Sequence, residues 1–203
     1  MKKLFLILGL LTVTGGSLSV QSCNKVKDAI LKNIDPFNFS MQSFVVTFEP
    51  TTADSINTDI VSTVINLQDS INKFVPSGVN LSISDLKEVR LNKVTVSPES
   101  GFTPGATGNN FTNIEGAFAM FNSNRGIANG LGPLGMLLYL TTSPTDEMTP
   151  LVFDYSDKNV NLLNYFHSSG ETEIMYQLIG KLRRPVTAPL KVRVQVEYTI
   201  IPG

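Results

Sequence analysis

The 203-residue sequence predicts a mainly β protein, an antiparallel β-sandwich carrying one long amphipathic helix and one short helix. Three observations point there. At least seven segments have the composition or alternation of strands, with Gly, Pro, Ser and Thr loops between them. The strands do not alternate with helices in the manner of a parallel βαβ sheet. The chain closes on two long alternating runs, which read as a firmly registered antiparallel pair.

Met41–Glu49 is the first strand, with Phe44, Val46 and Phe48 on one face and Val45 and Thr47 on the other; Pro50 ends it. Thr51–Phe74 reads as the long helix. Ile56, Ile60, Val64, Leu67, Ile71 and Phe74 recur at steps of three and four, Thr51, Thr52 or Asp54 supplies a cap, and Pro76-Ser77-Gly78 a stop. Six large apolar groups, at roughly 1.5–3 kcal/mol each, need cover. That cover is either a sheet of the same domain or a partner protein or lipid.

From Val79 the chain reads as β. Val79–Ser84 is a short run, and Leu86–Ser97 changes parity near Asn92, which suggests a bulge or turn. Pro98–Asn110 is a loop. Thr112–Phe121 sets Ile114, Gly116, Phe118 and Met120 against Ala117, Ala119 and Phe121; apolar on both faces, it reads as a central strand. Asn122–Gly135 is a second loop, and Met136–Thr142 and Leu151–Tyr155 are strands. Ser156-Asp157 caps the short helix, in which Val160, Leu162, Leu163 and Phe166 face inward. Thr172–Leu182 and Leu190–Ile200 close the chain. The second is the clearest strand, with Leu190, Val192, Val194, Val196, Tyr198 and Ile200 on one face and charged or polar residues on the other.

The first forty residues have another character. Lys2 and Lys3 precede the apolar run Leu4–Leu11, too short to span a bilayer, and small or polar residues follow, the layout of an export signal. The only cysteine, Cys23, stands where the cut would fall. A lone thiol in an exported chain has no partner for an internal disulfide. Val20-Gln21-Ser22-Cys23 resembles the lipobox of bacterial lipoproteins, with Gln21 departing from the usual small middle residue. The resemblance implies a signal peptide over 1–22, acyl chains such as palmitate on Cys23, and a tether over 23–40. A soluble secreted protein with an ordinary cleavage site is the alternative. Within the tether Lys25, Lys27 and Lys32 alternate with apolar residues, so a short amphipathic turn on lipid and a solvated linker both remain open.

Removing Met1–Ser22 takes away Lys2 and Lys3 and no acid, so the formal net charge moves from −1 to −3. A chain so near neutrality is not built for nucleic acid. The remaining residues suffice for one domain, over 41–203, with a real core.

Little in the chain points to catalysis. His167 is the only histidine and lies in a loop, and there is no G-x-S-x-G elbow, so neither a histidine metal cage nor a nucleophile elbow is expected. Gly130–Gly135 matches G-x-G-x-x-G but lacks the strand before it and the helix within it, so no dinucleotide cofactor is expected. Asp154, Ser156, Asp157, Asn159 and Asn161 cluster oxygens without the glycine and glutamate of an EF-hand, and read as caps.

Asp54-Ser55-Ile56 and Asp69-Ser70-Ile71 are similar to the O-glycosylation signal of exported Bacteroidota proteins, which implies Ser55 and Ser70 as acceptors. From Phe44 to Ile200 the chain also resembles a diffuse group of uncharacterised Bacteroidota lipoproteins, with an apolar helix ahead of strand pairs. That resemblance supports an immunoglobulin-like or related sandwich and implies no activity. The functional expectation is a lipid-anchored, non-catalytic adaptor or accessory subunit of an outer-membrane complex. Its partners would be the membrane and an envelope protein. Bacteroidota lipoproteins that reach the cell surface often carry an acidic cluster after the lipidated cysteine; against that pattern the basic Asn24-Lys25-Val26-Lys27 implies the periplasmic face. A carrier of lipid or another hydrophobic ligand, with a cavity of several hundred Å³ under the helix, is the alternative.

Overall fold

The computed structural model describes residues 29, 31–75, 81–128, 136–140, 146–168 and 170–203, with the backbone alone at 127–128 and 136–140. The chain divides into two compact units, 1–34 and 35–203. In the first, the described residues form a short helical turn in which Ile34 N–H donates to the Leu31 carbonyl at 3.1 Å. Cys23 lies outside the described residues.

The second unit is mainly β, with ten strands among the described residues, in two antiparallel five-stranded sheets, and few helices. The strands are β1 (Phe37–Ser40), β2 (Phe44–Phe48), β3 (Ser55–Asn57), β4 (Val61–Asn66), β5 (Leu86–Ser100), β6 (Ile114–Ser123), β7 (Met136–Leu140), β8 (Leu151–Asp154), β9 (Glu171–Leu182) and β10 (Leu190–Pro202). In the first sheet β10 lies between β5 and an edge shared by β1 and β2, and β8 extends β5 on the far side. In the second, β9 lies between β6 and an edge shared by β3 and β4, and β7 extends β6.

The closing strands fold as their alternation dictates. Every even residue of β10 from Leu190 to Ile200 is buried, as are Thr172, Ile174, Tyr176, Leu178 and Leu182 of β9. The two belong to different sheets, however, and face each other across the core rather than pairing. Period-2 patterning identifies a buried face but not the neighbour along the hydrogen-bond direction. The expected change of parity in β5 is present: its register with β10 shifts between Glu197 and Tyr198, opposite Leu91–Lys93. The strand runs on through Pro98 to Ser100, past the loop expected from Pro98 onward.

Gly101, at φ +80°, follows β5, and a side chain there would meet the carbonyl of Pro189. That turn therefore requires glycine.

The largest correction concerns 51–75. The helix is α1, Leu67–Phe74, and the stretch before it is strand. β3 pairs with β9 from Ser55↔Lys181 to Asn57↔Ile179, and β4 pairs with β9 from Val61↔Tyr176 to Asn66↔Glu171. Ile56, Thr58, Ile60, Val61, Thr63, Val64 and Ile65 are β-branched, stiff at χ1 and better matched to a pleated surface than to a helix. The spacing of three and four was coincident with that composition. Asn66 then turns the chain: its side-chain oxygen accepts from Asp69 N–H at 3.2 Å, an N-cap, and residues of better helix propensity follow. The expected stripe is accordingly divided. Ile56, Leu67 and Ile71 are buried, whereas Ile60, Val64 and Phe74 are 66%, 59% and 52% exposed.

Three smaller corrections follow. β1 lies inside the expected tether, because Phe37 and Phe39 alternate with Asn38 and Ser40 after Pro36 and pair with β10 from Ile200 to Glu197. The short helix after Ser156-Asp157 is replaced by turns and a 3-10 turn at Leu163–Tyr165. Leu91 N–H donates to Val160 O at 2.8 Å and Leu162 N–H to Val89 O at 2.7 Å, so the segment is bonded to β5 as well as through its own turns. Leu162 and Phe166 are nonetheless buried as expected. Finally, a short helix α2, Asn124–Ala128, opens the expected loop after β6, and the expected short run before Ser84 gives a 3-10 turn at Ile83–Asp85.

The strand order also departs from an immunoglobulin-like sandwich, in which the first strand pairs with the second. Here β1 and β2 both pair with β10.

Candidate interaction surfaces

Among the described residues the interior between the sheets is lined by buried apolar side chains. At its centre Tyr176 of β9 and Tyr198 of β10 bring their hydroxyls to 3.4 Å, and each donates to the sulfur of Met41, at 3.1 and 3.0 Å. Burial pushes both hydroxyls up from the usual tyrosine range, and at Tyr176 the neighbouring Tyr198 adds to the shift. Phe39 stacks on Tyr198 at 5.1 Å and Phe44 on Tyr176 at 4.8 Å. This cluster joins β1, β2 and the linking Met41 to both sheets, with its polar atoms satisfied internally.

Two hollows remain. A cavity of about 50 Å³ lies between the sheets near one end, among Phe48, Ile56, Phe102, Phe111, Phe153 and Leu190. A second, of about 20 Å³, adjoins Phe44, Phe121 and Tyr176. Neither is lined by α1, where a carrier's cavity was expected. An apolar cavity of ~150 Å³ is what holds a benzene molecule, so the larger hollow has about a third of that room.

The outer faces of the two sheets differ. On the first sheet Arg193 grips Glu99 through two bonds of 2.9 and 2.6 Å, Lys93 meets Glu197 at 3.0 Å, and the Thr199 hydroxyl donates to Asn38 at 2.6 Å. Charges and hydroxyls cover most of this face. On the second sheet the corresponding positions include Phe118 and Met120 of β6, Met175 and Ile179 of β9, all half-buried, and the exposed Val64 of β4, together with Glu173, Gln177 and Lys181, the last paired with Glu115 at 2.9 Å. Phe118 lies opposite Ile179 and Met120 opposite Gln177, so the apolar groups are cross-strand or diagonal neighbours. β7 continues the sheet beyond them, with Leu137 opposite Met120 and Tyr139 opposite Phe118. The signal for this face was the apolarity of β6 on both sides. It does place β6 inside its sheet, paired on both edges, but only one of its faces meets the core.

The expected acceptor serines fall on different elements. Ser55 is exposed on β3, opposite Lys181, while Ser70 is half-buried on α1 and its hydroxyl donates back to the Asn66 carbonyl at 3.3 Å. Cys23 and the Gly130–Gly135 motif lie outside the described residues. His167 is half-buried, and its N–H donates to Thr172 Oγ1 at 2.9 Å. Among the oxygen-rich residues, Asp154 accepts from the hydroxyl and N–H of Ser156 at 2.6 and 2.9 Å, bonds that hold its carboxyl below the usual range. Asn161 accepts from Val89 and Leu163 N–H groups at 3.2 and 2.9 Å. These oxygens stabilise turns, the role that capping predicts.

No family model matches the chain. No curated protein matches it either. Solved structures that it resembles include one of tomato aspermy virus, 12% identical over 91% of this chain and 97% of that one, with a TM-score of 0.30. The decameric capsid protein of BFDV is 7% identical over 82% and 98%, with a TM-score of 0.32. A structure of desmodium yellow mottle tymovirus is 10% identical over 84% and 91%, with a TM-score of 0.24. At these TM-scores the likeness carries no argument about this chain.

Proposed function

We propose that the chain is a bacterial lipoprotein of the Bacteroidota type. On this reading 1–22 is its signal peptide, Cys23 carries the acyl chains, and the domain serves as a non-catalytic adaptor or accessory subunit at the periplasmic face of the outer membrane. Its partners are the bilayer and an envelope protein. The domain itself we read as a β-sandwich of jelly-roll type. With β1/β2 and β3/β4 each counted as one interrupted strand, the sheets run in the order first, eighth, third, sixth and second, seventh, fourth, fifth, an interleaving that suits two Greek keys.

The observation that most supports an adaptor is the half-buried apolar outer face of the second sheet, set against the mostly polar outer face of the first. A cavity of about 50 Å³ holds no acyl chain, so it favours the adaptor over the carrier. An apolar sheet face beside the strand β7 offers a partner both side-chain contact and an edge. If the glycosylation motifs are used, Ser55, exposed on its strand, is the better acceptor of the two.

The test is photocrosslinking in the native envelope, from a reactive side chain at Met120 and, as control, at Thr95 on the outer face of the first sheet. The expected result is one discrete adduct from position 120 and none from 95. Equal labelling from both positions, or none from 120, refutes the adaptor. Cys23→Ser tests the anchor separately: loss of labelled palmitate and of membrane sedimentation is expected, and unchanged sedimentation without label in either form refutes it.

A further inference from the structure

We propose that the corner formed by Phe37, Lys73 and Phe74 rests on the anionic lipid surface to which the chain is anchored, with the two rings at the boundary between headgroups and acyl chains. This deepens the anchoring reading above and rests on it. Leu67, Ile71 and Phe74 form one stripe of α1, at i, i+4 and i+7. The first two are 0% exposed and the third is 52% exposed, so the stripe runs on past the core. The Phe74 ring stacks at 5.5 Å on Phe37, itself half-buried and the first residue of β1. Two stacked rings at the end of an apolar stripe make an aromatic projection of the sort that membrane interfaces receive.

The occupant follows from where the chain enters. Cys23 is 14 residues ahead of Phe37 in the sequence, a reach of no more than roughly 50 Å even fully extended. Of all the strands, β1 is therefore the one held closest to the acyl chains along the backbone. Charge agrees. Lys73 is exposed beside Phe74; 36–40 and 70–75 contain no acid, Asp35 and Asp69 standing immediately before them. In the sequence from Cys23 to Phe37, Lys25, Lys27 and Lys32 outnumber Asp28 and Asp35 by one. Such a grouping is drawn to anionic headgroups.

The chain contains no tryptophan, so Phe74→Trp makes a single reporter, with Phe37→Trp as a second and Val152→Trp, on β8 of the first sheet, as control. Each is bound to vesicles of phosphatidylethanolamine and phosphatidylglycerol that contain brominated acyl chains. One arm uses the acylated chain. The other holds the chain from residue 24 on nickel-chelating lipid through an N-terminal hexahistidine.

Emission at 74 and 37 is expected to fall by about half, and at 152 by under about a tenth. Replacing phosphatidylglycerol by phosphatidylcholine should weaken quenching at 74 about twofold. Equal quenching at 74 and 152 in the histidine-held arm overturns the corner, as would quenching at neither. Failure of the first arm to take up acyl chains or to sediment, with the second behaving as expected, overturns the anchor and leaves the corner standing.

Discussion

The two sheets present the same kind of residue to each other and different kinds to the outside. Inward, Val, Leu, Ile and Tyr of β10 meet Ile, Leu and Tyr of β9. Outward, the first sheet shows mostly ion pairs and hydroxyls, with the exposed Val45 and Val152 among them, and the second shows the apolar cluster of Phe118, Met120, Met175 and Ile179 beside the Lys181–Glu115 pair. A sheet with one solvated face needs the first arrangement and gains nothing from the second. The difference separates what the fold requires from what it leaves available for contact.

The comparison breaks first where the sheets are joined. Tyr198→Ala removes the ring that Phe39 and Tyr176 pack against, and is expected to cost about 3–5 kcal/mol in urea denaturation. A loss under about 1 kcal/mol would mean the shared core is not organised around that cluster. Alkali probes the same place. Because the fold holds the Tyr176 and Tyr198 hydroxyls protonated above the unfolded value, the unfolded chain releases those protons first. Stability is therefore fully present below about pH 10 and falls as pH rises beyond it, at about 1.4 kcal/mol per pH unit for each tyrosine. Tyr198→Phe should flatten that fall, and an unchanged slope would exclude the pair as its source.

The outer faces come next in size. Phe118→Ser on the second sheet should lower stability by about 1–2 kcal/mol, since half a phenylalanine's burial is lost. It should also abolish the adduct formed from position 120. Smallest is the Arg193–Glu99 pair, both partners more than a third exposed, whose coupling in a double-mutant cycle should be about 0.2–1 kcal/mol and should shrink further in salt. A coupling as large as the effect of Phe118→Ser would erase the distinction between the faces.

The sequence was most legible where one face of a strand is buried and the other wet, as in β10, because period-2 alternation then has one meaning. It was least legible over 55–66. There three- and four-residue spacing competed with β-branched composition, and partners more than a hundred residues away on β9 decided the outcome. β1 was concealed by its brevity and by the proline before it. The interaction face was visible only as a doubly apolar β6, a pattern that burial on both sides would equally produce. The cap at Asn66 and the turn oxygens of Asp154 and Asn161 were readable in kind, since short polar side chains favour such positions, but the cap fell twelve residues beyond Asp54.

One feature of the topology reaches beyond the folded state. β10 sits between β5 on one side and β1 and β2 on the other, so apart from one bridge, Phe48 to Thr58, the earliest strands have no described neighbour until the latest one exists. A polypeptide delivered amino end first, from a ribosome or through a pore, keeps its leading segments open for nearly the whole of its passage. Closure of that sheet is then a single late event, slow in the way that distant pairings are.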